Sequence, residues 1–334
     1  MSSLSGFQNL LVPAVLFFAL GFIARLVKSD LRFPPDLAKL LSIYLLTAIG
    51  LHGGYELSKA EVSTAVHAIF WALALGLTLP IIGYALMRAT GKVDALNAAA
   101  IAAHYGSVSA GTFLTAIAFL QSAGIEYESY PVIMLAIMES PAIVIGILLA
   151  GWARRQTKTD TQAPQERAGF SFSGLLHEAF TNGSVILLLG SMVIGAIATP
   201  KSIETIKPFV NDIFMGMLCL FLLEMGLEAA RRIEDFRRVG GTLVAFGVIM
   251  PLIGGTIGTL IGHYALGFGI GGTTLVAVLA ASASYIAVPP AMRLAVPEAN
   301  PSLYLTLSLG VTFPFNVLFG IPLFHKFAET LSTL

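Results

Sequence analysis

Charged residues are scarce. Nineteen Lys+Arg and 19 Asp+Glu make up 11% of 334 residues, where a soluble domain carries about 25%. So few charges cannot coat a water-facing surface. The two signs also cancel to a formal net charge of zero, which removes the basic excess of a nucleic-acid partner. Cysteine is limited to Cys219, inside an apolar run. That excludes an internal disulfide and a thiolate zinc site, and no transition metal or organic cofactor is expected. The first apolar run follows Met1-Ser-Ser-Leu-Ser, without a basic n-region, and reads as a retained span. The short alternating segments of a β-barrel are missing too.

What the chain has instead is apolar length. Hydrophobic residues are 56% of the total and mean hydropathy is +0.83. They come in blocks of about 20, enough to cross a hydrocarbon core of about 30 Å. Ten spans are predicted: Phe7–Leu26, Pro35–His52, Ser63–Met87, Ala95–Gln121, Ser129–Trp152, Ala179–Thr199, Phe209–Ala229, Gly240–Tyr264, Gly271–Val296 and Pro301–His325. Backbone groups have no water partner in lipid, so the spans are helices. A polar linker, residues 153–178, separates a first unit (1–152) from a second (179–334). Fifteen basic residues fall on the linker's side and only Lys59, Lys201, Lys207 and Lys326 on the other. The positive-inside rule then places the linker in the cytoplasm and both termini outside, in a bacterial inner membrane.

Five spans per unit imply two copies in opposite orientation. Leu46-Thr-Ala-Ile-Gly-Leu51 in span two resembles Leu222-Leu-Glu-Met-Gly-Leu227 in span seven, with Gly50 and Gly226 offset by 176. Ser107-Val-Ser109 in span four matches Ser282-Ala-Ser284 in span nine at 175, and Tyr130 matches Tyr304 at 174. Ser140-Pro141 and Phe313-Pro314 follow in spans five and ten. The expected fold is an all-α membrane protein with a 5+5 inverted repeat and two broken, crossing helices. Transporters built this way place the substrate near mid-bilayer, where the copies meet.

The chemistry-bearing motif sits in spans four and nine. Gly106-Ser107-Val108-Ser109-Ala110-Gly111-Thr112 and Ser282-Ala283-Ser284-Tyr285, followed by Pro289-Pro290, both interrupt a helical ladder. N-terminal half-helix ends offer free N–H groups and a positive dipole to an anion. Opposite ends, unwound carbonyls and Ser hydroxyls suit a hard cation. Candidate anion ligands are Gly106, Ser107, Ser109, Ala110, Gly111, Ser282, Ser284 and Tyr285. Candidate sodium ligands are Ser107, Ser109, Thr112, Glu139, Ser282 and Ser284. The plainer alternative is that small residues only let helices pack closely. Glu139 lies mid-span, where a carboxylate suggests Na⁺ coordination or a proton relay, and Glu224 is similar but nearer the linker side. His104 is either a proton shuttle or a packed, hydrogen-bonded core residue. The run from Glu228 to Asp235 reads as a solvated face.

These residues resemble the sodium-dependent bicarbonate transporter family over nearly the whole chain. The most specific stretches are Met225-Gly-Leu-Glu-Ala229, Ile261-Gly-His-Tyr264, Ala280-Ala-Ser-Ala-Ser284, Pro289-Pro290, Arg293 and Pro297-Glu-Ala-Asn-Pro-Ser302, with Ser107-Val-Ser109 and Glu139-Ser-Pro141 in the first unit. The resemblance implies the fold of bile-acid and sodium/proton transporters. A core of spans 3–5 and 8–10 would move against a panel of spans 1, 2, 6 and 7. It also implies a homotrimer, Na⁺ as coupling ion, bicarbonate as cargo, an ion site where spans four and nine cross, and sometimes a PII-like cytoplasmic regulator. Three features depart from the family pattern. Tyr285 stands where the family has an Asp, Glu139 replaces an Asp, and the linker is short. The alternatives left open are another organic anion, coupled to protons through Glu139 and His104, an intramembrane serine protease using Ser109 and His104, and a passive channel.

Overall fold

A computed structural model describes residues 12–59, 61–157 and 183–334. The start of expected span one (7–11), most of the linker (158–178) and the start of span six (179–182) lie outside the described residues. Those described are helical, and no strand occurs among them. Six helices are long and apolar enough to cross a membrane: Asp36–Leu57, Val62–Ala89, Tyr130–Arg155, Pro200–Arg232, Gly241–Ala265 and Pro301–Ser332. Pro13–Leu26, Val185–Ile197 and Ile270–Ala281 are shorter and equally apolar.

Four helices form one packed group. These are α1 (Pro13–Leu26), α2 (Pro35–Leu57), α8 (Gly183–Ile197) and α10 (Phe214–Val239); a short helix, α9 (Pro200–Lys207), precedes α10. α1 lies along α10 and α2 along α8. Glycine sets both approaches. A methyl group on Gly21 would overlap the Leu223 carbonyl and one on Gly226 that of Phe18. Likewise Gly54 abuts the Met192 carbonyl and Gly195 that of Leu51. Backbone contact of this kind is how helices associate where lipid competes for apolar side chains. Gly50 abuts the same helix one turn earlier, at the Leu188 carbonyl, less closely than Gly54.

The second group holds α3 (Val62–Ala89), α4 (Ala95–Gly106), α5 (Ala110–Ser122), α6 (Tyr130–Met138) and α7 (Pro141–Thr157). With them pack α11 (Gly241–Leu260), α12 (Ile270–Ala281), α13 (Val288–Ala295) and α14 (Pro301–Ser332). Span four is split into α4 and α5, and span nine into α12 and α13, as the sequence predicts. The sequence ends span five at Trp152, but α7 runs on to Thr157. A third interruption, at Glu139-Ser140 between α6 and α7, is new. α14 carries π-helical turns at Thr306–Thr312 and Asn316–Gly320, and α11 continues into one at Ile261–Ala265. Such wide turns re-aim side chains inside a helix.

Each interrupted helix is anchored at its outer end. Asp94 caps α4, accepting from the amides of Leu96 (3.1 Å) and Asn97 (2.9 Å). At the far side Glu128 does this for α12, where the Gly269 amide donates to Oε1 at 2.7 Å. The Asn300 amide donates to Asn97 Oδ1 at 2.7 Å, tying the start of α14 to α4. Arg154, at the end of α7, donates Nε and Nη2 to the two Glu298 oxygens (3.0 and 2.7 Å), and Nη2 also reaches the Ala295 carbonyl that ends α13 (3.0 Å).

Candidate site at the helix crossing

The two breaks touch. The Ser109 amide donates to Ser282 Oγ at 2.9 Å, and the Ser284 amide donates to the His104 carbonyl at 2.8 Å. Each break therefore satisfies part of the other's unwound backbone, which has no other partner in a dry interior. Ser282 Oγ in turn donates to the Leu279 carbonyl at 2.9 Å. Ser109 Oγ caps α5, accepting from the Thr112 amide (3.1 Å) and hydroxyl (2.9 Å). Ser107 Oγ donates to the Glu139 carbonyl at 3.1 Å, joining the span-four break to the interruption of span five. The Ala281 carbonyl, last of α12, accepts from Asn316 Nδ2 at 2.8 Å.

Beside the crossing lies a cavity of about 40 Å³. Ser109, Ala110, Glu139, Ser284 and Tyr285 line it from the breaks; Ser42, Leu188 and Phe221 line it from the α1/α2/α8/α10 group. Of the sequence candidates, these five break residues meet at one space. Ser107, Thr112 and Ser282 are not among its lining residues, and their hydroxyls make the bonds above. Gly111 lies beneath the Tyr285 hydroxyl and admits it, since a methyl group there would overlap that oxygen. Gly106 does not line it, and its lack of a side chain admits the Pro80 ring of α3.

His104 does not meet Ser109. Its ring stacks on Tyr304 (4.3 Å between centroids, 24°) and Nδ1 donates to the Ala100 carbonyl at 2.7 Å. Among the described residues no group of three His, Cys, Asp or Glu side chains is arranged to hold a metal. Glu224 lines an adjoining, mostly apolar chamber of about 690 Å³ with Lys39, Ile43, Ile186, Met225 and Ala287. Ser42, Leu46, Phe221 and Ile286 belong to both the chamber and the small cavity. On the opposite side a cavity of about 170 Å³, bounded by His52, Gln121, Tyr127 and Asn211, shares no lining residue with the central one.

Three groups escaped the sequence reading. Asn316 carried a usable signal, an amide inside an apolar run. Ser42 is a polar residue in span two and had the same faint one. Phe221 had none, because an apolar residue that lines a cavity looks like any other.

None of the curated proteins compared matches the chain. A family model does, over residues 13–329, and covers both breaks and both helix groups. A multi-pass helical membrane protein with two serine-bearing breaks in contact, this chain belongs to the Na⁺-dependent bicarbonate transporter superfamily.

Proposed function

We propose that the chain is a secondary active transporter that couples Na⁺ to the uptake of bicarbonate or a similar small anion by alternating access. The observation that carries this reading is the crossing of the two breaks around a small cavity lined by Ser109, Ala110, Glu139, Ser284 and Tyr285. The N-terminal end of α5 supplies N–H groups and a positive dipole to an anion. The C-terminal ends of α4 and α12, with the Glu139 carboxylate, supply oxygens to a hard cation. Na⁺ and the anion neutralise each other there, which lowers the cost of taking either from water.

An inverted repeat of ten spans finds support in the contacts. α1 on α10 and α2 on α8 exchange under the repeat. Gly21 and Gly54 then correspond to Gly195 and Gly226, at offsets of 174 and 172. Pro80 and Pro251, inside α3 and α11, are offset by 171. Alternating access is supported by the unequal flanks, a chamber of about 690 Å³ continuous with the site on one side and a separate one of about 170 Å³ on the other. In this reading the helices α3–α7 and α11–α14 move against the α1/α2/α8/α10 panel. The linker and the larger chamber face the cytoplasm of a bacterial inner membrane, and three copies assemble.

Labelled bicarbonate uptake into proteoliposomes tests the proposal. An inward Na⁺ gradient accelerates uptake at least tenfold over K⁺. Equal rates with the two cations would remove Na⁺ coupling, and acceleration by a proton gradient alone would favour proton coupling.

A further inference from the structure

We propose that the Tyr285 hydroxyl is a side-chain hydrogen-bond donor to the transported anion, in a site that discriminates against a second negative charge on that anion. The inference rests on the transport reading above and specifies its cargo.

Tyr285 Oη is enclosed beside the Ser109 side chain and makes no hydrogen bond of ordinary length and angle among the described residues. A buried phenol left so forfeits a bond that nearly all buried polar groups make. Its ring is held edge-on against Phe313 (5.5 Å, 72°), so the hydroxyl has a set position rather than a choice of several. That position is directly over Gly111, the second residue of α5. Helix geometry leaves the Ala110 and Gly111 amides without an intrahelical acceptor, while Ser109 Oγ takes the Thr112 amide. A phenol O–H and two backbone N–H groups thus converge on one end of α5, and all three are donors.

Two further features limit the ligand. Among the described residues no Lys, Arg or His lines the cavity, and Glu139 is the only charged one that does. With the Glu139 carboxylate already in the lining and no basic residue beside it, each further negative charge on a ligand adds to the burial cost. About 40 Å³ has room for roughly three waters at about 10–15 Å³ each. That suits bicarbonate, nitrate or acetate, whereas a dicarboxylate would have to extend into the adjoining chamber.

The test uses the full-length protein in lipid nanodiscs with saturating Na⁺. Calorimetric titrations with bicarbonate, nitrate, acetate, sulfate and succinate are run beside Na⁺-driven bicarbonate uptake in proteoliposomes. Size-exclusion profiles report folding. Tyr285→Phe weakens binding of the three monovalent anions about tenfold, raises the bicarbonate KM to match, and leaves the maximal rate and the Na⁺ activation constant within about twofold. Gly111→Ala keeps the hydroxyl but displaces it, and loses affinity to a similar extent. Sulfate and succinate bind at least about tenfold more weakly than bicarbonate to the unaltered protein. Unchanged anion affinity in folded Tyr285→Phe overturns the donor role. Sulfate binding as tight as bicarbonate overturns the charge limit. Tyr285-dependent binding without Na⁺-driven uptake keeps this inference and sinks the transport reading. Na⁺-driven uptake indifferent to Tyr285→Phe does the reverse, and no binding of any small anion sinks both.

Discussion

The break in span four and the break in span nine begin alike and end differently. Ser107 and Ser282 leave their helices with nearly the same backbone angles, φ −88°, ψ 177° and φ −87°, ψ 165°. From there the first break recovers within residues 107–109, while the second stays open over residues 282–287. Ser109 caps its own helix at 3.1 Å, whereas Ser284 Oγ reaches the Val288 amide only at 3.5 Å. The cause is local. Pro289 and Pro290 open α13 and have no N–H to offer a cap. The second break is therefore held from outside, by the His104 carbonyl at Ser284, by Asn316 at Ala281 and by Arg154 at Ala295. One break carries its own closure; the other borrows it, and the longer gap leaves room for Tyr285 at the cavity.

The largest effect should come from the group that serves both breaks. Glu139 touches the span-four break through its carbonyl and lines the cavity shared with Ser284. Glu139→Gln keeps shape and removes charge, and should cut Na⁺-driven uptake by about 100-fold or more in a protein that still elutes as folded, consistent with an intramembrane carboxylate in a functional role. Uptake within a few-fold of the unaltered protein would show that backbone oxygens suffice. Next is Ser282, the one hydroxyl that bridges the breaks. Ser282→Ala strands the Ser109 amide and should cost about 1–3 kcal/mol, read as a fall in thermal midpoint together with slower uptake.

A sharper comparison is Ser109→Ala against Ser284→Ala. The first loses a true N-cap, worth about 1 kcal/mol. The second loses a bond already long and should cost less than about 0.5 kcal/mol in stability. Equal losses in a thermal-shift assay would erase the distinction between a self-capped and a borrowed closure. Another small effect, this one pH-dependent, belongs to the tie at the end of α13. Hydrogen bonds from Arg154 hold the Glu298 carboxyl below its usual range. A depressed folded value contributes stability above the ordinary carboxylate value of about 4.3, and that contribution is lost as pH falls through the folded value. Because the pair is partly exposed, it is worth under about 1 kcal/mol. The thermal midpoints of the unaltered protein and Glu298→Gln should differ slightly at pH 7 and converge below about pH 4. A constant difference across that range would assign the effect to packing.

Much of this was legible before any coordinates. Apolar blocks bounded by charge read as helices because lipid permits little else, and glycine, serine and paired prolines inside two of them read as breaks because each removes or weakens a turn. Ser109, Ala110, Glu139, Ser284 and Tyr285, all picked from the sequence, do share one cavity. Other features were not legible. The serine pairs look equivalent in sequence, yet Ser109 and Ser284 line the cavity while Ser107 and Ser282 hold backbone and do not line it. Gly50 stands out by its neighbours, yet Gly54 makes the tighter contact with α8, because that depends on which helix faces meet and not on the letters alongside. The interruption at Glu139-Ser140 left no sign beyond Pro141, since proline in a first turn is ordinary.

The sequence by itself determined the solvent, the secondary structure and the two positions where helices break. Each follows from properties a residue carries wherever it sits: transfer cost, backbone freedom and the presence of an N–H. Tertiary structure alone decided which groups the broken ends meet. Whether a serine hydroxyl faces a cavity or a carbonyl, and whether a tyrosine finds a partner or is left offering its proton, depends on contacts between segments 173 to 180 residues apart.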